Sequence, residues 1–145
     1  MKTLPKRMSS AAIMLENSAG ELLIVKANYK EYWTLPGGIV DEGETPKQAA
    51  CREASEEVGV AFTPEQVTFI AVVDRISDEA QTYQFLFKAV LPSDTKIVLQ
   101  SSELDEYAFV TKEQILAKDR YYAKAVSTWA NDLSGYIEET FEEVE

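Results

Sequence analysis

The side chains best suited to chemistry crowd into one stretch, Gly38 to Val60, which reads GIVDEGETPKQAACREASEEVGV. Wound as a helix at about 100° per residue, its second half brings Glu53, Glu56 and Glu57 within roughly one third of the circumference. Three like charges on one face repel one another, and no lysine lies near them on that arc. A solvated acidic face, the competing reading, would usually intersperse lysines. A divalent cation would remove the repulsion. Arg52 is spaced to reach Glu56 one turn on, or to fold back towards Glu44 in the preceding loop.

The chain has no histidine, which excludes Ser-His-Asp and Cys-His nucleophilic sites, His-ligated zinc and a histidine general base. Acid–base work then falls to carboxylates, lysines, tyrosines or metal-bound water, and 25 Asp plus Glu make carboxylates the obvious supply. Hard oxygen ligands of that kind suit magnesium, manganese or calcium better than zinc. A formal net charge of −11 repels nucleic-acid backbones and weighs against a general DNA or RNA binder. The single cysteine, Cys51, allows no internal disulfide and suits a reducing compartment. No apolar run approaches the roughly 18 residues that span a bilayer, and the basic start from Met1 to Arg7 is followed by no apolar signal core. These readings together predict a cytoplasmic protein.

Positioning the glutamates requires a rigid helix held on a sheet. Thr45 is a plausible N-cap with Pro46 at the first helical position, and Gly59 follows as a stop, so the helix is predicted over Thr45 to Val58. Its opposite face carries Cys51, Ala54 and Val58, small apolar residues that allow close packing; Cys51 reads as a buried packing residue rather than a reactive thiol. Before it, Ser9 to Glu16 and Glu21 to Lys26 read as the strands of a hairpin, and Pro36-Gly37-Gly38 reads as a break where backbone approaches a ligand. After it, strands are predicted at Val67 to Asp74, Thr82 to Leu91 and Tyr107 to Val110, with a helix capped by Thr111 running to about Ala117. Tyr121 to Leu133 is predicted as a helix with Tyr122, Ala125, Val126 and Trp129 on its core face, and the acidic tail Glu138 to Glu145 as its fraying end or extension. Strands mixed with a few helices, and no linker or repeat, give one α+β domain over residues 1–145.

The glutamate segment resembles the Nudix box, in which Gly, five residues, Glu and seven residues precede Arg-Glu-U-x-Glu-Glu-x-Gly-U, with U apolar. Gly38, Glu44, Arg52, Glu53, Glu56, Glu57 and Gly59 fill every fixed position, and Val60 fills the last apolar one. Ala54, at the other apolar position, is smaller than the usual residue, a departure that bears on packing more than chemistry. The resemblance implies an α/β/α sandwich around a mixed sheet, and a magnesium- or manganese-dependent hydrolase of a nucleoside diphosphate linked to another group. It implies Glu56, Glu57 and the Gly37 carbonyl as metal ligands, with Glu53 as ligand or general base. Glu44 and Arg52 would hold the loop against the helix. Glu103 would be a further catalytic or metal-binding acid, with Glu106 its competitor. A small nucleotide is the implied partner, and homodimers are common in the family.

The subfamily markers are missing. No proline stands fifteen or sixteen residues after Gly59, where Asp74 and Arg75 lie, and no tyrosine near seventeen, where Ile76 lies. The first expectation is therefore a MutT-like nucleoside triphosphate pyrophosphohydrolase that yields a monophosphate, with Tyr29, Tyr32, Trp33, Tyr83 or Phe85 available to stack on a base. The alternatives are an ADP-ribose or other sugar-nucleotide pyrophosphatase, and a catalytically idle nucleotide sensor. An RNA 5′-end pyrophosphohydrolase would need a basic channel, to which Lys2, Lys6, Arg7, Lys26 and Lys30 could contribute.

Overall fold

A computed structural model describes residues 4–99 and 102–140 of the chain. Seven strands form one mixed sheet: β1 (Met8–Glu16), β2 (Leu22–Ala27), β3 (Gly37–Ile39), β4 (Thr68–Ile76), β5 (Gln81–Val90), β6 (Leu104–Val110) and β7 (Gly135–Thr140). They lie in the order β6-β2-β1-β5-β4-β7, with β3 beside β1. Helix α1 (Pro46–Val58) covers one face, while α2 (Lys112–Leu116) and α3 (Lys124–Ala130) cover the other. This is the expected α/β/α sandwich around a mixed sheet.

Strand periodicity explains the two cores. Along β1, Ala11, Ile13 and Leu15 point to the α1 side, and Ala12 and Met14 to the α2–α3 side. All five are buried, as a central strand covered on both faces demands. On the α1 side they meet Ala50, Ala54 and Val58; on the other they meet Val126 and Trp129. Alanines at the helix contact bring α1 close to the sheet, which fixes where its outer face points. Cys51 is only half-buried, at the margin of this core, and burial raises its thiol pKa.

Several predicted elements are revised. The opening strands pair only at their turn, Glu16 with Leu22, and then diverge. β1 continues along β5 in parallel from Met8 to Glu16, while β2 turns to pair with β6. Pro36-Gly37-Gly38 does not simply interrupt structure, because Gly37–Ile39 joins the sheet as β3, antiparallel to β1. The predicted helix from Tyr121 to Leu133 shrinks to Lys124–Ala130. Its first residues are taken by the loop before β3: Trp33 N–H donates to the Tyr121 carbonyl at 2.8 Å, and Ala123 N–H to that of Trp33 at 2.8 Å. Asp132, at φ 54, ends the last turn. The tail does not extend this helix either. Gly135, at φ 81, redirects the chain, and Glu138 to Thr140 lie in β7, parallel to β4. The rest of that tail, residues 141–145, lies outside the described residues, as does Lys2.

Candidate active site

Helix α1 begins and ends where its sequence dictates. Thr45 Oγ1 accepts from Gln48 N–H at 3.1 Å, and Thr45 N–H donates to Gln48 Oε1 at 2.9 Å, a reciprocal cap. Gly59 ends it at φ 74, a left-handed conformation that costs glycine nothing. The helix thus presents Arg52, Glu53 and Glu57 towards β3 with little freedom to shift.

Gly37 and Gly38 are required by close approach. A Cβ on Gly37 would lie 2.4 Å from the Ala11 carbonyl oxygen, and one on Gly38 would lie 2.5 Å from Glu53 Oε1. The first clash is with a neighbouring strand, the second with a carboxylate that rests over the glycine backbone. Ile13 N–H donates to the Pro36 carbonyl and Val40 N–H to that of Ser9. In an antiparallel ladder this alternation directs both the N–H and the C=O of Gly37 away from β1. The N–H duly points at both Glu57 carboxylate oxygens, at a long 3.4 Å.

Arg52 is the hub of the box. Its guanidinium donates to Glu44 at 2.8 and 3.1 Å, to Glu53 at 2.9 Å, to Glu56 at 3.0 Å and to the Ile39 carbonyl at 3.1 Å. Both of its expected reaches, one turn along the helix and back to Glu44, are made at once. Glu44 also accepts from Asp41 N–H, so the loop is pinned to the helix, and its carboxyl is held below the usual range by Arg52. One cation therefore offsets the charge of Glu44, Glu53 and Glu56, which sequence spacing alone left repelling.

Glu57 has no such relief. It lines a cleft of about 230 Å³ with Glu53, Glu103, Gly37, Gly38 and Lys30. Burial first, and then hydrogen bonding and charge from Glu53 and charge from Glu103, push its pKa well above the carboxylate range and past neutrality; the Gly37 N–H opposes this only in part. Glu103 is brought here because Asn28 N–H donates to its carbonyl at 2.9 Å, tying the 102–103 loop to the end of β2. Its competitor Glu106 pairs with Lys26 in the ladder and does not line the cleft. Glu56 stays at the rim, with its side chain 58% exposed and bound to Arg52. Tyr29 and Lys30 also line the cleft, a placement that no spacing rule in the sequence marks, since they arrive from the loop after β2.

The donor set fits a hard divalent cation. Burial and the neighbouring acids raise the Glu57 pKa, which nearby positive charge would relieve, and every candidate ligand is an oxygen: Glu53, Glu56, Glu57 and the Gly37 carbonyl. Among the described residues no three acidic or thiol side chains are grouped to cage an ion as they stand. Glu56 would have to swing from the rim, a rotation its exposure permits.

Comparison with known proteins identifies the family. The model of the family described as the NUDIX domain matches residues 6–130. The chain is 28% identical over 137 residues to an RNA pyrophosphohydrolase of Sulfurovum sp., covering 83% of this chain and 87% of that protein. It is 42% identical over 62 residues to an RNA pyrophosphohydrolase of Aeromonas hydrophila, a match that covers 43% of this chain but only 34% of that protein. A MutT protein from Bacillus halodurans shares the fold with a TM-score of 0.74 at 19% identity, covering 92% of this chain and 90% of that one. With every fixed position of the box filled and two of its glutamates, Glu53 and Glu57, lining one cleft beside β3, the chain belongs to the Nudix hydrolase family.

Proposed function

We propose that this protein hydrolyses the pyrophosphate bond of a nucleoside diphosphate linked to a further group, with a nucleoside triphosphate as first substrate and a nucleoside monophosphate as product. The observation that carries this is the juxtaposition of Glu53, Glu57 and Glu103 at the turned-out backbone of Gly37, with Glu57 too buried and too close to other acids to ionise alone. Glu53, Glu56, Glu57 and the Gly37 carbonyl would hold magnesium or manganese. When bound, the ion supplies neutralisation of charge on the phosphate oxygens and a lowered pKa for the attacking water.

The chain's own residues do the rest. Glu53, fixed by Arg52 over Gly38, and Glu103 across the cleft are the two carboxylates able to take the proton of that water. Lys30 lies in the same cleft and pairs with substrate phosphate. Glu44 and Arg52 act through position, keeping the loop and Glu53 where the reaction needs them.

A second reading, cleavage at the 5′ end of RNA, is favoured by the Sulfurovum relative, which aligns along most of its length. No helix among the described residues is long and apolar enough to cross a membrane. A cytoplasmic location is part of the proposal and rests on the single cysteine; a homodimer would follow family precedent. The test is a panel of nucleoside triphosphates, ADP-ribose and 5′-triphosphorylated RNA with magnesium and then manganese, with products identified. Turnover of a triphosphate to the monophosphate supports the reading. Binding of nucleotides by folded protein without any product refutes it in favour of a sensor.

A further inference from the structure

Glu53 and Glu57 are aimed by a capped helix, whereas Glu103 precedes strand β6 and has no helix to hold it. Its placement begins with the pairing of β2 and β6. Lys26 pairs with Glu106, but the next residue, Ala27, pairs with Leu104, so Asp105 is an extra residue that bulges β6. The bulge reverses the alternation of the strand. Leu104 and Phe109, five residues apart, both pack on the α1-side core, where a regular strand would set them on opposite faces. Without the extra residue Asn28 would come opposite Leu104; with it, Asn28 comes opposite Glu103.

Asn28 then makes two bonds across to this segment. Its backbone N–H donates to the Glu103 carbonyl at 2.9 Å, and its side-chain Nδ2 donates to the Ser102 carbonyl. Those carbonyls belong to the two peptide planes that flank the Glu103 Cα. Each plane is rigid, so anchoring both leaves φ and ψ of Glu103 little freedom and sets where its Cβ points. Asn28, Ser102 and Glu103 are all exposed, so burial of these residues does not fix the backbone here. Asparagine also suits the turn it occupies, closed by Lys30 N–H to the Ala27 carbonyl at 3.2 Å. Turn preference accounts for its backbone, but not for a side chain bonded to a residue 74 positions away. Asn28 does not line the cleft, although Ala27, Tyr29 and Lys30 do.

We propose that Asn28 is a positioning residue for the reaction: its side-chain amide, through the Ser102 carbonyl, aims the Glu103 carboxylate into the cleft. This rests on the reading of Glu103 as a carboxylate that takes the proton of the attacking water. The acceptor is a carbonyl, so only a donor serves, and aspartate, of the same shape, presents oxygens alone. Because Asn28 stands outside the cleft lining, its loss slows the chemical step and leaves substrate binding intact.

Two variants test this in the full chain. Asn28→Ser is neutral and suits a turn, but its hydroxyl ends too near the backbone to reach Ser102; Asn28→Asp keeps the shape and removes the donor. Hydrogen exchange followed by NMR reads the residue 28 amide, which donates to Glu103. Its protection should fall about fivefold in both variants, as one lost hydrogen bond implies, with circular dichroism unchanged. Kinetics use magnesium and the nucleoside triphosphate that turns over fastest in the panel. With Asn28→Ser, kcat should fall about tenfold while KM stays within about twofold. In a Glu103→Gln background the same substitution should change kcat by less than about twofold, because its effect runs through Glu103. Unchanged protection, a raised KM with kcat intact, or a loss of kcat that adds in full to that of Glu103→Gln overturns the proposal. If Glu103→Gln keeps the full rate, or nothing is hydrolysed, the reading of the site fails instead, and protection alone decides whether Asn28 fixes the loop.

Discussion

Replacing Glu57 with Gln should make the metal-free protein more stable at neutral pH while removing most of its activity. The folded state raises the Glu57 pKa past neutrality, chiefly through burial and then through Glu53. The folded protein therefore keeps a proton that the unfolded chain releases above the ordinary value of 4.5. The sign follows: this group's contribution to stability is fully present below pH 4.5 and is lost progressively as pH rises through neutrality to the folded value. At pH 7 the loss reaches about 3 kcal/mol as an upper bound, and sharing of the proton with Glu53 brings it to roughly 1–3 kcal/mol. Glutamine is neutral at every pH and nearly the same size, so it should recover this amount. For a chain of this length that corresponds to roughly 3–10 °C in Tm. The assay is urea denaturation of both proteins in a chelator at pH 5 and pH 7, with activity measured separately in magnesium. Wild type should lose stability from pH 5 to pH 7 and Glu57→Gln should not. A variant that is less stable than wild type at pH 7 and keeps the same pH slope would refute the electrostatic account. A fully active variant would refute the metal-site assignment.

Four further outcomes are expected. Gly37→Ala should cost about 1–3 kcal/mol in denaturant unfolding or prevent folding, because its Cβ meets the β1 backbone, whereas Gly38→Ala should fold normally and lose kcat by displacing the Glu53 carboxylate. Arg52→Lys keeps the charge but not the fork that binds Glu44, Glu53 and Glu56 together, so kcat should fall about tenfold at little change in fold, judged by steady-state kinetics beside circular dichroism. Glu103→Gln should lower kcat by at least about tenfold and Glu106→Gln should leave it within about twofold, since only Glu103 lines the cleft. Dialysis against a chelator should abolish turnover, and magnesium or manganese should restore it; turnover that survives complete removal of divalent ions contradicts the mechanism.

Residues 38–60 were legible because their determinants are local. A cap at Thr45, a proline at Pro46 and a left-handed glycine at Gly59 act within a few residues of one another, so the helix and its acidic face could be written down from spacing. The strands at β1, β4 and β5 were likewise marked by apolar runs, though not their neighbours. Pairing is a matter between distant segments. The hairpin reading of β1 and β2 was the locally cheapest one, but nine residues of β1 found a parallel partner in β5 instead. The same cause shortened the last helix, whose pattern is sound from Lys124 to Ala130 but whose predicted first turn is occupied by Trp33. β7 was missed because its six residues alternate too briefly to outweigh an acidic composition.

The sequence by itself determined the chemistry available to this protein: abundant carboxylate oxygens, no histidine, one arginine among clustered glutamates, and glycines where backbone must approach closely. Tertiary structure decided which of those groups share a site. It buried Glu57, left Glu56 at the rim under Arg52, and chose Glu103 over Glu106 through a bond from Asn28. It also set Lys30 and Tyr29 beside the acids and joined Tyr32 to Tyr121, residues 89 positions apart, at 5.9 Å. The division has one reason: spacing along a helix is fixed by backbone geometry, whereas contacts between loops depend on which strands pair and how closely the helices pack upon them.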